Sequence, residues 1–270
     1  MKTTSVVVTR VTEASRVTSP DGVAVEEPLE ISVAWLHDGE LREKTISVTM
    51  RTPGDDLDLG VGFLFTEGLI RDSGEIESVR HWGSPNKVRV GLTPGSHIDL
   101  SKLDRHFYTT SSCGVCGKTS IDALQIATCP LPASEPIAEE VVRSLPAILH
   151  GAQNAFHETG GVHGAALVDR SGVLLRVRED IGRHNAVDKV IGSFVREDPA
   201  PMRDAILMVS SRGSFEIVQK AIVAGIPRVA FVGGPSSLAV DLARRFNVTL
   251  LGFVREERFN VYSGEVGGHG

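Results

Sequence analysis

The feature that most constrains this chain is the alternation of short apolar strands and amphipathic helices in its C-terminal half. Residues 165–168, 173–177, 205–209, 228–232 and 249–253 are compact runs dominated by Val, Leu, Ile and Ala. Residues 185–195, 214–223 and 236–246 between them carry apolar side chains at helical spacing. Strand–helix–strand alternation with short loops implies a parallel or mixed sheet covered by helices. The N-terminal part reads differently. Residues 5–11 and 29–36 are rich in β-branched residues, 44–50 alternates polar with apolar as a half-buried strand does, and 87–92 reads as another short strand. Asp21-Gly22 and Asp38-Gly39 are turn signals between them. Leu57, Val61, Leu64 and Phe65 mark an amphipathic helix to about residue 70, with Asp55 at its N-cap and Asp56 and Asp58 at the positive end of its dipole. From Ile137 a helical pattern runs through about Phe156.

The fold class expected is therefore α/β, or α+β over the whole chain. Residues 1–108 form a β-rich part with one helix, 109–136 a mobile loop and linker, and 137–270 an α/β domain. The formal net charge of −6 over 270 residues has the wrong sign for a bulk polyanion binder, so nucleic acid is not an expected partner. There is no apolar segment after a basic start and no run long enough to span a bilayer. Three cysteines, Cys113, Cys116 and Cys129, are too few and too odd in number for a disulfide scaffold, which points to a reducing compartment. A soluble cytoplasmic protein without a membrane partner is expected.

Two of those thiols define the sharpest chemical feature, the run TSSCGVCG at residues 110–117 followed by Lys118. Cys113 and Cys116 lie among glycines and serines, before a helix expected from about Thr119. A helix N-terminus and a nearby ammonium both stabilise a thiolate. Three readings fit a lone CxxC here. A structural zinc site would need further ligands, such as His106 or His157. A thioredoxin-like redox pair would expect the motif near an N-terminal βαβ unit. A persulfide carrier would accept sulfane sulfur by thiol–disulfide exchange chemistry and pass it on. Cys129, among Ile126, Ala127 and Leu131, reads as a packed thiol.

Other constellations follow in the C-terminal half. Gly160-Gly161 precede His163, where paired glycines permit a tight turn or a close ligand approach. Residues 178–189 (REDIGRHNAVDK) are dense in charge at a helix start. Most of these charges read as a solvated face with salt bridges, while Arg183, His184 and Asn185 fall where an anion is welcome. The loops 210–214 (SSRGS) and 233–237 (GGPSS) each join a strand to a helix and, with Arg212, favour a phosphorylated or nucleotide ligand. Residues 251–262 add Arg255, Arg258 and three aromatics after the last strand. Arginine forks and aromatic faces suit a guanine or pterin ring with phosphates. The alternative is simple surface pairing with Glu256 and Glu257. A zinc deaminase is excluded: His163-Gly164-Ala165 lacks the glutamate, and no proline precedes Cys113.

Taken together, residues 51–54 and 62–68, the 110–117 loop, residues 159–163, residues 179–189 and the tail 252–262 resemble the formate dehydrogenase accessory sulfurtransferases, the FdhD family, over roughly residues 25–265. The resemblance implies a sulfurtransferase that takes sulfur from a cysteine desulfurase as a cysteine persulfide; the alternative is a non-catalytic cofactor-binding chaperone in which the CxxC, with or without zinc, clamps the loop. It implies delivery to the molybdenum (or tungsten) bis-guanine-dinucleotide cofactor, the bound acceptor, before that cofactor enters the formate dehydrogenase catalytic subunit. It places the persulfide on Cys113, with Cys116 as second thiol, and the cofactor on Phe253, Val254, Arg255, Glu256, Glu257 and Arg258. It further implies a cytidine-deaminase-like α/β/α C-terminal domain with a mixed sheet, a homodimer, and no dedicated protein metal. The chain departs from the family's usual pattern twice: Ser211 stands where a glycine is common before Arg212, and Gly164 where an alanine is common after His163.

Overall fold

The computed structural model describes residues 1–96 and 129–268. The chain begins with a hairpin of β1 (Thr3–Val11) and β2 (Arg16–Ala24). β3 (Glu27–His37) and β4 (Glu40–Arg51) form a second hairpin, turned by Asp38 and Gly39, both at positive φ (52° and 79°). That conformation matches the right-handed twist of paired strands. α1 (Asp56–Thr66) follows, then β5 (Ile76–His81) and β6 (Lys87–Leu92). These strands make a sheet in the order β4-β3-β6-β5, with β3 and β6 parallel.

The C-terminal half comprises β7 (Ile137–Ala138), α2 (Glu139–Gly151), α3 (Asn154–Thr159), β8 (His163–Val168), β9 (Leu174–Asp180) and α4 (Arg183–Glu197). It continues through β10 (Ile206–Val209), α5 (Phe215–Val223), β11 (Arg228–Phe231), α6 (Ser237–Arg245), β12 (Thr249–Gly252), β13 (Asn260–Ser263) and β14 (Val266–Gly267). Six strands form the expected mixed sheet, ordered β13-β12-β11-β10-β8-β9, in which β10, β11 and β12 are parallel. Successive strand residues face opposite sides of a sheet. Ala165, Leu167, Leu207 and Val209 accordingly pack with α4, α5 and α6, and Ala166, Val168, Ile206 and Met208 pack with α2. Burial on both faces explains why these strands read as unbroken apolar runs.

The larger core does not stop at this sheet. Leu29, Ile31, Val88 and Val90 of the N-terminal sheet and Leu59 and Leu64 of α1 are continuous with Val187, Val190 and Ile191 of α4. α1 crosses α4 at Gly62 and Gly192, where a Cβ on either would overlap backbone of the other helix. Among the described residues, no helix is long and apolar enough to cross a membrane.

Several local expectations are corrected. Asp21-Gly22 is not a turn but lies within β2, paired with Val6 and Ser5. The hairpin turns at residues 12–15, where the Thr12 amide donates to the Ser15 carbonyl at 2.9 Å. Gly22 instead lets β2 approach α3, since its Cβ would stand 2.7 Å from the Glu158 carbonyl oxygen. The helix from Ile137 is broken at Ala152 and Gln153 into α2 and α3, preceded by the short β7. Asp55 occupies the N-cap of α1 but its side chain makes no cap bond; it pairs with Lys2 at 3.0 Å. Asp56 and Asp58 stand in the first turn as expected, and they also pair with Arg51 and Arg178.

Candidate functional site

The sheet topology gathers the C-terminal sequence motifs at one edge. The carboxyl ends of β9, β10, β11 and β12 lie beside the start of antiparallel β8, because His163 pairs with Asp180 and Ala165 with Val209. Ligands of open α/β sheets bind at such an edge. A cleft of about 900 Å³ opens there, among α2, the 160–163 segment, Ser210, Val232, Arg255 and Glu256. Its size falls within the roughly 300–1,000 Å³ range of small-molecule sites.

The floor of the cleft is uncharged. Burial, and then the Arg183 charge, hold the His163 imidazole below its usual pKa against the opposing pull of Asp180. His163 Nδ1 lies 3.4 Å from Ser210 Oγ, and Ser210 Oγ accepts from the Gly164 amide at 3.0 Å. Gln153 is 4% exposed and its Nε2 has no hydrogen-bond partner. Its amide lies over Gly164, where a Cβ would stand 2.5 Å from Nε2. Glu179, at the end of β9, fixes this wall by accepting from the Ala155 and Phe156 amides at 2.9 and 2.8 Å, satisfying orphan donors at the start of α3.

The charged run 178–189 is mostly interior, which corrects the expectation of a solvated face. Asp180 and Lys189 are fully buried and 2.7 Å apart. Asp180 also accepts from the Thr52 and Gly182 amides, and the Lys189 ammonium donates to the Thr52 carbonyl at 2.8 Å. Burial pushes the Lys189 ammonium below its usual pKa, against the pull of Asp180. Lys220 donates to Asp188, Thr66 and Glu67 at 3.0, 2.8 and 3.1 Å. Burial pulls its pKa down, but Asp188 and Glu67 outweigh that and hold it up. These partners come from both halves of the chain, so the run behind the cleft edge is the polar joint of the fold. His184 sits at its rim, 4.0 Å from Glu216, its pKa lowered to about 4 by burial and then by Lys220 and Arg183.

The two strand–helix loops are tied together through three of their amides. They bind each other: the Gly213 amide donates to the Gly234 carbonyl, the Gly233 amide to Ser211, and the Ser236 amide to Gly213, at 2.9–3.1 Å. Arg212 is exposed above them. Of the tail residues, Arg255 and Glu256 line the cleft. Arg255 donates to the Val232 and Val254 carbonyls at 2.8 and 2.7 Å rather than forming the surface pair weighed from the sequence. Phe253, at positive φ (52°), lies against Gly234, while Val254 is fully buried and Glu257 and Arg258 are exposed. The Arg255 amide closes the turn on the Arg258 carbonyl at 2.8 Å, from which β13 returns along β12. Cys113, Cys116 and His106 lie outside the described residues. His157 sets its Nε2 2.7 Å from the His150 carbonyl oxygen, and Cys129 is exposed rather than packed. Sequence reasoning missed Gln153 and did not single out Ser210 as a partner of His163. No sequence signal marked Gln153, because the helical pattern was expected to run unbroken through it.

Residues 24–266 match the FdhD/NarQ family profile. The chain is 44% identical over 266 residues to the sulfur carrier protein FdhD of Mycolicibacterium paratuberculosis, covering 95% of each chain. It is 48% identical over 261 residues to the sulfur carrier protein FdhD of Anaeromyxobacter dehalogenans, covering 90% of this chain and 87% of that one. A crystal structure described as a formate dehydrogenase accessory protein, from Desulfotalea psychrophila, superposes with a TM-score of 0.73 at 25% identity over 97% of both chains. The chain belongs to the FdhD/NarQ family.

Proposed function

We propose that this chain is a sulfur carrier serving formate dehydrogenase, with Cys113 as the persulfide-bearing residue. The carrying observation is the TSSCGVCG run at residues 110–117, set in a chain similar over 95% of its length to sulfur carrier proteins. The Cys113 thiolate attacks the outer sulfur of a cysteine desulfurase persulfide. The donor S–S bond breaks, the donor cysteine leaves as thiolate, and Cys113 holds the sulfur. On delivery the Cys116 thiolate attacks the inner sulfur of Cys113. The outer sulfur departs as sulfide to the acceptor metal, and a Cys113–Cys116 disulfide closes, to be reopened by a thiol reductant.

The acceptor in this reading is the molybdenum (or tungsten) bis-guanine-dinucleotide cofactor, a substrate rather than a resident group. The cleft edged by Arg255 and Glu256 supports it: an uncharged floor suits a neutral heterocycle, and a guanidinium at the rim suits phosphate. A homodimer with one cleft per chain, working in the cytoplasm, belongs to the same proposal.

Intact mass spectrometry after incubation with a desulfurase and cysteine tests it. Gain of one sulfur atom on the wild-type chain, lost in Cys113→Ser, is the expected result. Loading that persists in Cys113→Ser, or stoichiometric zinc released only by thiol modification, would overturn the carrier role.

A further inference from the structure

One buried polar group in the cleft is packed but not paired. Gln153 is 4% exposed, lines the cleft, and leaves its Nε2 buried without a partner. A primary amide buried unsatisfied costs free energy, and an apolar residue of the same shape would not incur that cost. The surroundings preserve the arrangement rather than relieve it. The backbone of Gln153 is held at both ends, its amide donating to His150 at 3.2 Å and its carbonyl accepting from His157 at 3.1 Å. Glu179 pins the first turn of α3 immediately after it. Gly164 leaves the space that its side-chain amide fills, since a Cβ there would stand 2.5 Å from Nε2 and 2.6 Å from Cδ. The terminal torsion of glutamine is broad, so a turn about it presents the amide to a bound molecule without moving the backbone.

We propose that Gln153 is a specificity-determining residue of the cleft, its side-chain amide pairing with the adjacent N–H and C=O of a planar lactam heterocycle such as guanine or pterin. A primary amide offers one donor and one acceptor side by side, the complement of a lactam edge. His163, held neutral, and Ser210 complete an uncharged floor beside it. The apolar wall of Pro146, Ala147 and Leu149 lies on the α2 side of the cleft. The inference rests on the proposed function only in assigning the cleft to the guanine-dinucleotide acceptor.

The test uses the full chain with two probes, GDP followed by calorimetry and pterin-6-carboxylate followed by its fluorescence, alongside thermal unfolding. Wild-type protein is expected to bind at least one probe, and the responding probe says which ring the floor takes. Gln153→Leu is expected to weaken that binding at least tenfold while leaving the melting temperature equal or higher, because an unsatisfied amide has been removed. Gly164→Ala, which displaces the amide from its seat, is expected to weaken it in the same direction. Unchanged affinity in Gln153→Leu, or a fall in melting temperature that accompanies the loss, assigns Gln153 a structural role and overturns the inference alone. Wild-type protein that binds neither probe overturns the reading of the cleft itself.

Discussion

Gly62 of α1 and Gly192 of α4 meet back to back: a Cβ on Gly62 would overlap the Asp188 carbonyl, and one on Gly192 the Asp58 carbonyl. The helix from the N-terminal half thereby seats directly on the helix that follows β9, the strand whose last residue pairs with His163 of the cleft. Alanine at either position forces the axes apart. Overpacking of this kind costs about 1–3 kcal/mol and occasionally more. Gly62→Ala and Gly192→Ala are each expected to lose at least about 2 kcal/mol of stability, read by denaturant unfolding. An unchanged midpoint in both would mean that the two helices cross with room for a Cβ.

The buried Asp180–Lys189 pair gives a second expectation. Removing one partner of a buried pair strands the other charge, at about 3–5 kcal/mol. Lys189→Met is therefore expected to destabilise strongly, whereas the Lys189→Met, Asp180→Leu double variant is expected to lose less than the sum of the two single losses. Additive losses in the thermodynamic cycle would show that the two side chains do not act as a unit.

His184 sets a pH dependence. Its folded pKa of about 4 lies below the unfolded value of 6.5, so between those values the unfolded chain binds more protons. Stability is full above the unfolded value and falls as pH drops toward 4. About a third of the side chain is exposed, so solvent screening reduces the loss to about 1–2 kcal/mol. His184→Gln is expected to flatten this part of the stability–pH curve; an identical slope in the variant would assign the acid sensitivity elsewhere.

Arg255 is placed by the Val232 and Val254 carbonyls with its guanidinium at the cleft. Arg255→Ala is expected to weaken GDP binding about tenfold, the effect of losing one charge-assisted contact, while sulfur loading on Cys113 stays intact. Equal loss of both activities in a folded variant would argue against separate sites for sulfur and nucleotide.

The sequence alone determined the architecture wherever side-chain periodicity is set by one layer of packing. The apolar runs of β8, β10, β11 and β12 and the helices α4, α5 and α6 follow from local patterning, and the expected boundaries differ from the observed ones by a residue or two. The motif-bearing loops were likewise legible, because strand–helix alternation sends them to one sheet edge. Tertiary structure decided what those residues do. A charged run has the same local pattern on a surface as in a polar joint, and only the arrival of Thr52, Thr66 and Glu67 from the other half buries Asp180, Asp188, Lys189 and Lys220. Glycine-rich loops look open to phosphate until the neighbouring loop takes some of their amides, as the Gly234 carbonyl takes that of Gly213 and the Ser211 carbonyl that of Gly233. Gln153 has no motif at all. Its importance comes from a missing partner and from the space over Gly164, and both are properties of contacts between distant segments that a linear pattern does not encode.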